Sequence, residues 1–285
     1  MSDTDTFEQL TPSAWKLPNG VQLHTVREGQ GTPLIFIHGA MGDWRSWAAQ
    51  WHAFTPHFDC ISYSRRYSFP NHNPMPSPDH GALHEAQDLL LLMDAMGIEQ
   101  AVLVGSSYGA FTALALAVQA PERVQAIVAV EPPMMKYAHH TPEGHAVAEA
   151  FRRDVIEPAN AAFRAGEDER AAQIMTGGIN GGRSAVNTGA AMERRLQNLR
   201  AMKMLALSSD EFPLLTPEQL AGLSMPVLLL AGRQTQPVHQ AIFNNVRTVM
   251  PQARHAWVDG AGHGVTREQP DTFNRLALDF LGPTF

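Results

Sequence analysis

The stretch that most constrains this chain is residues 100–120. Residues 100–104 are a short, mostly apolar run of the kind that forms a buried strand. Gly105-Ser106-Ser107-Tyr108-Gly109 is a G-x-S-x-G pattern, and residues 110–120 are rich in alanine and leucine and read as a helix. Strand, tight turn, helix is the context in which this pattern exposes a nucleophile. A turn that sharp forces strained backbone angles, and Gly105 and Gly109 remove the side chains that would collide there. The expectation is a Ser107 hydroxyl held in the open at the top of a sheet, at a helix N-terminus. The competing reading is an ordinary strand–helix turn with an incidental serine.

Similar apolar runs recur along the chain. One lies at residues 34–37 and ends in His38-Gly39-Ala40. Others lie at 124–130 and 227–230, and a further strand at about 254–258 precedes Gly260-Ala261-Gly262-His263. An early strand is expected at 21–27, after the turn signal Pro18-Asn19-Gly20. Helices are expected at 237–249 and 270–281, which completes an αβ alternation. Trp44, Trp47 and Trp51 share one helical face that Asp43 is placed to cap. Trp47 and Trp51 read as core, whereas Trp44, close to His38-Gly39, is expected to wall the site as well. The proline-dense residues 70–78 read as a surface loop. Between about 132 and 224 strand-like runs vanish. Residues 146–164 and 190–207 read as helices, with a flexible glycine-rich break at 176–182. The expected organisation is a core of 1–131 and 225–285 with a helical insertion at 132–224.

The chain has 285 residues, 44% of them hydrophobic, enough for one sizeable core. Its net charge of −7 and its lack of a basic cluster beyond Arg65-Arg66 argue against nucleic-acid partners. Cys60 is the only cysteine, so no internal disulfide is possible, and its apolar setting reads as packing. The acidic, polar start lacks the pattern of a signal peptide, and no apolar run approaches a membrane span. A soluble cytoplasmic protein is expected. Oligomeric state is not legible.

The His-Gly turn after an early strand, the serine elbow in mid-chain and Gly-x-Gly-His near the end together resemble the α/β-hydrolase superfamily. The resemblance covers almost the whole chain and is weakest at about 132–224. It implies a mostly parallel, doubly wound sheet with helices on both faces, a helical cap at the insertion, and a catalytic serine, acid and histidine. Ser107 is then the nucleophile and His263 the base that takes its proton. The oxyanion donors implied are the backbone N–H groups of Ala40 and Tyr108. His38 is expected to order its loop.

The acid departs from the superfamily's usual pattern, which places an aspartate just after the strand at 227–231. Here the loop reads Gly232-Arg233-Gln234-Thr235-Gln236-Pro237, and Thr235 stands where the aspartate is expected. The candidate is Glu131, at the end of the sixth strand, where haloalkane dehalogenases and zearalenone lactonases carry theirs. Asp259 is the runner-up, better placed to order the His263 loop. Thr235 offers at most a hydrogen bond.

The resulting expectation is a cofactor-independent, metal-free serine hydrolase of a small-molecule carboxylic ester or lactone. The insertion's methionines, Met134 and Met135 among them, suit the roof of an apolar pocket. A zinc site at His139, His140 and His145 would need further ligands. Carbon–carbon bond hydrolysis, perhydrolysis and amide cleavage stay open, as does a non-catalytic receptor that keeps the pocket.

Overall fold

In the computed structural model, which describes residues 7–75, 77, 79–182 and 189–282, an eight-stranded sheet runs in the order β1-β2-β4-β3-β5-β6-β7-β8. The strands are β1 (Ser13–Lys16), β2 (Gln22–Glu28), β3 (Pro33–Ile37), β4 (Asp59–Tyr63), β5 (Ala101–Ser106), β6 (Val124–Val130), β7 (Val227–Gly232) and β8 (Arg254–Val258). The β1–β2 and β2–β4 pairs are antiparallel, and every other pairing is parallel. The β1 strand extends the edge by a hairpin whose short, polar sequence carried no strand signal.

The central strands are apolar on both faces because both are covered. On one face Ile37, Leu103, Ile127 and Leu229 pack with the helices Ala82–Ala95, Tyr108–Gln119 and Pro237–Val249. On the other, Phe36, Val104, Val128 and Leu230 pack with Trp47, Trp51, Phe54 and Phe273. Trp44 and Trp47 lie in a 3-10 turn capped by Asp43, and the α-helix proper begins after them at Ala48. Cys60 is fully buried in β4, as expected. The proline-rich loop is less free than its composition suggests. Asn71 donates to the carbonyls of Ser64 and Arg65, and Asn73 to those of Gln22 and Arg66, so both asparagines are buried.

Between β6 and β7 the described residues form helices and loops only. The first long helical run is Pro142–Phe151, a π turn at Arg152–Ile156, and Glu157–Arg164. Pro158 explains the π turn, because it has no N–H to continue the α pattern. The glycine-rich stretch at 176–182 is mostly helical, which corrects the expected break. Helix Asp168–Asn180 runs through it and stops at Gly181, whose φ of 67° is left-handed. Gly178 belongs inside the helix because a Cβ there would lie 2.3 Å from Val155 Cγ1. Residues 183–188 lie outside the described residues. Helices Gly189–Gln197 and Leu199–Leu207 follow, separated at Asn198. Ala162, Phe163, Ala171, Ala172 and Met202 form a small core of their own, and Met41 from the loop after β3 packs against it. The helices therefore sit over the C-terminal end of the sheet.

Candidate active site

The parallel strands β3, β5, β6, β7 and β8 are neighbours, and each delivers a part of one site from its C-terminal end, where open α/β sheets gather their ligands. Ser107 follows β5 with φ 53° and ψ −122°, a conformation L-residues rarely adopt. Such a residue costs about 1–3 kcal/mol and persists only when its surroundings hold it. Its N–H donates to Val130 O (2.7 Å), and its carbonyl accepts from Ala110 and Phe111. The flanking glycines act through space rather than through their angles, since neither has positive φ. A Cβ on Gly105 would lie 2.5 Å from Gly109 O, and one on Gly109 would lie 2.0 Å from Ile37 O. The strain falls on the serine itself.

His263, on the loop after β8, reaches Ser107 Oγ with Nε2 at 2.9 Å. Its Nδ1 lies 2.6 Å from Glu131 Oε2. A carboxylate oxygen only accepts, so Nδ1 carries the proton and Nε2 is left to accept from the serine hydroxyl. Glu131 itself has φ 44°, the second left-handed non-glycine backbone among the described residues. Its Oε1 accepts from Gly232 N–H (2.8 Å) and its Oε2 also from Thr235 Oγ1–H (2.8 Å). This buried carboxylate is thus fully used, which is what makes its desolvation tolerable. Asp259 lies apart, on the surface, paired with Arg233 at 2.8 Å.

The loop after β3 passes directly beside the serine: a Cβ on Gly39 would stand 3.3 Å from Ser107 Cβ. His38 is buried, and burial, then the nearby Arg65 charge, push it down to about 3, so it is neutral. Its Nε2 accepts from Arg65 N–H (3.0 Å) and its Nδ1–H donates to Gly39 O (2.8 Å). Arg65 Nη2 also donates to Gly39 O (3.2 Å), while Nη1 donates to the buried Glu85. Gly39 C=O and Ala40 N–H belong to one planar peptide, so pinning the oxygen turns the Ala40 N–H away from this network. Tyr108 begins the following helix, where an N–H has no intrahelical acceptor. Its side chain is buried, with its hydroxyl donating to Glu211 O.

Other expected residues are placed differently. Trp44 is 3% exposed with its ring edge-on to Phe7 at 5.2 Å, a core position that leaves almost no surface for a ligand. Met134 is 2% exposed within the main core, and Met135 is only partly buried against it. Met192, Met202 and Met204 are likewise buried, so most of these thioethers fill gaps inside the protein. Reading from spacing cannot separate a roof residue from a core one.

Sequence reasoning also missed a contact. His239, two residues into helix Pro237–Val249, stacks on His263 with ring centroids 4.3 Å apart. Burial, then the His263 charge, hold it well below the ordinary histidine range, so it is a neutral flank of His263. Proximity to the loop that carries Thr235 was the available signal.

Two groups among the described residues bring three metal-capable donors within 4.8 Å of one another. In Glu131–His239–His263 the His263 nitrogens and the Glu131 oxygens already serve the hydrogen bonds above. The other is exposed and consists of His139, His145 and Glu149. His139 Nδ1 and His145 Nδ1 are 2.8 Å apart, while Glu149 is also paired with Arg152. His140 lies apart from it, packed on Tyr137.

Comparison with known proteins agrees with this architecture. The chain is 29% identical over 74% of its length to the sn-1-specific diacylglycerol lipase ABHD11 of Mus musculus, covering 69% of that protein. It is 25% identical over 91% of its length to the putative carbamate hydrolase RutD of Pseudomonas savastanoi pv. phaseolicola, covering 97% of it. The solved carboxylesterase CesB of Bacillus subtilis superposes with a TM-score of 0.74 at 20% identity, covering 99% of this chain and 95% of that one. The family model described as alpha/beta hydrolase fold matches residues 32–266, from the start of β3 to just past His263. With its sheet order, its serine elbow and the hydrolases among its relatives, the chain belongs to the alpha/beta hydrolase fold family, as an enzyme of that hydrolase class.

Proposed function

We propose that this protein is a cofactor-independent serine hydrolase of carboxylic esters or lactones. The observation that carries the reading is the unbroken chain Ser107 Oγ···His263 Nε2 (2.9 Å), His263 Nδ1···Glu131 Oε2 (2.6 Å). Ser107 attacks the carbonyl carbon as His263 Nε2 takes its proton. Glu131 holds the ring in the reactive tautomer and balances the imidazolium that forms. The Ala40 and Tyr108 N–H groups receive the oxyanion of the tetrahedral intermediate. Collapse expels the alcohol, which takes the proton back from His263, and leaves an acyl group on Ser107. Water, deprotonated by His263, attacks the acyl carbon, and breakdown releases the acid and restores the serine.

Ester cleavage is favoured by the similarity to a diacylglycerol lipase and to a carboxylesterase. The helices between β6 and β7 form the lid over this site, since the loop after β3 packs into their core through Met41. A fluorophosphonate probe tests the mechanism. Labelling of the wild type that is lost in Ser107→Ala supports it. A well-folded wild type that neither labels nor turns over a panel of p-nitrophenyl esters and lactones would favour a receptor.

A further inference from the structure

Arg195 is the least compensated charge among the described residues. It lies in the last turn of helix Gly189–Gln197 and is 8% exposed. Its Nε is buried with no partner. Among the described residues its one hydrogen bond goes from Nη1 to Ala191 O of its own helix, at 2.9 Å, and no carboxylate pairs with it. The charge that acts on it among the described residues is another cation, Arg267. Burial first, and then Arg267, push the Arg195 guanidinium down to about 10. An unpaired buried charge is expensive, and such sites concentrate where a ligand completes them.

The position of Arg195 says what kind of ligand. Its helix is tied across the loop after β3. Asn198 Nδ2 donates to Asp43 Oδ2 (2.9 Å), and Arg45 donates to Gln197 Oε1 (2.6 Å). The Arg267 whose charge acts on Arg195 lies in the short helix Val265–Glu268, just after His263. Arg267 is half exposed, at the rim, with Glu268 beside it at 3.5 Å. Glu268 is occupied in turn by Gly262 N–H at 2.9 Å. The helix of Arg195 is thus tied to the loop that follows Gly39–Ala40, and the charge of Arg195 is felt by an arginine four residues after His263. A guanidinium with free donors matches a planar carboxylate, which it binds through two parallel N–H···O bonds.

We propose that Arg195, with Arg267 at its rim, is an anion subsite that receives a carboxylate carried by the substrate at the end remote from the scissile bond. The proposal rests on Ser107 being the nucleophile of an ester or lactone hydrolase. It makes the substrate amphipathic, with a charged end under the helix that carries Arg195.

The test compares mono-p-nitrophenyl glutarate with p-nitrophenyl valerate, which differ by a terminal carboxylate in place of a methyl. The wild type should favour the carboxylated ester. In Arg195→Gln the ratio of the two kcat/KM values should fall by about 10²- to 10³-fold. Arg195→Lys, which keeps the charge but loses the fork, should fall part of the way and serves if the glutamine variant does not fold. A second readout is thermal: Arg195→Met should keep or raise Tm, because it removes an unpaired buried charge, whereas a structural arginine would lower it. A ratio that stays at the wild-type value in a folded variant overturns the subsite and leaves the hydrolase reading intact. If neither ester is turned over, glutarate itself is titrated against the wild type and Arg195→Gln. A thermal shift present only in the wild type supports the subsite while the hydrolase reading fails. No shift in either overturns the subsite too.

Discussion

Replacing Glu131 by glutamine changes one atom's chemistry and cannot keep all the bonds the carboxylate makes. Oε1 accepts from Gly232 N–H, and Oε2 accepts from both Thr235 Oγ1–H and His263 Nδ1–H. An amide has one accepting oxygen and one NH2 that only donates. If its oxygen faces Gly232, its NH2 meets His263 and selects the tautomer with Nδ1 bare and Nε2 protonated. That ring cannot take a proton from Ser107. If its oxygen faces His263, its NH2 opposes the fixed Gly232 N–H, and the imidazolium formed in turnover still loses its counter-charge. Loss of the correct tautomer at such a site costs about 10⁴ in kcat, which is about 5.4 kcal/mol in the barrier. Steady-state kcat and acylation burst kinetics on a p-nitrophenyl ester read this directly, with Tm as the control for folding. Adding Thr235→Asp to Glu131→Gln puts a carboxylate at the position whose hydroxyl now lies 2.8 Å from Glu131 Oε2 and should recover more than about tenfold in rate. A folded Glu131→Gln within about threefold of wild type would refute the assignment, and collapse on Asp259→Asn instead would move the acid to a residue now paired with Arg233 on the surface.

Further outcomes follow from the same geometry. His38, held at about 3 against an ordinary 6.5, binds fewer protons folded than unfolded, so stability rises with pH across that window and is lost as pH falls. Between pH 6.5 and about pH 5 this removes about 2 kcal/mol, and urea titrations at the two pH values should lose that part of the difference in His38→Gln. Glu85, held at about 2 by Arg65 against its own desolvation, acts in the same sense at lower pH and should steepen acid unfolding between about 4.5 and about 2. Gly39→Ala should lower kcat by about 10² with little change in Tm, because its Cβ would crowd Ser107 rather than the core. Gly109→Ala, whose Cβ would overlap Ile37 O, should destabilise the fold by more than about 3 kcal/mol or prevent it, as calorimetry would record. Extended treatment with EDTA should leave ester turnover unchanged; loss of activity that zinc restores would instead implicate the exposed His139–His145–Glu149 group or the site itself.

What could be read from the sequence was whatever depends on neighbours in the chain. Buried parallel strands announce themselves as apolar runs, so β3, β5, β6 and β7 stand where expected within a residue or two. The G-x-S-x-G pattern located Ser107, and its glycines remove side chains that would collide with Ile37 O and Ala110. Contacts between distant segments were the hidden part. The Arg65–Glu85 pair and the burial of His38 join three separate elements, and the short arginine pair alone names no partner. His239 lies on His263 because two strands are neighbours, and no periodicity encodes that. The methionines carried least, since the same thioether serves a pocket roof or a core, and Met134 and Met202 went to the core.

The unusual origin of the proposed acid has a simple spatial account. β6 and β7 are adjacent and in parallel register, Val130 opposite Leu230, so their C-terminal ends open onto the same point above the sheet. An acid leaving either end can meet a histidine arriving from β8. From β6 the side chain has one strand spacing further to reach, about 4.8 Å, and glutamate's extra methylene with a left-handed backbone shortens that gap. The φ of 44° at Glu131 is the conformational cost, and the Glu131 N–H to Leu230 O bond (2.9 Å) helps hold it. Once the carboxylate arrives beside β7, the Gly232 N–H and the Thr235 hydroxyl that line this point become its donors. Thr235 is therefore best understood as a partner fitted to a displaced acid. Its exchange for valine should leave one lone pair of Glu131 empty and lower kcat by far less than Glu131→Gln does, about tenfold, the loss of one hydrogen bond to a charged group.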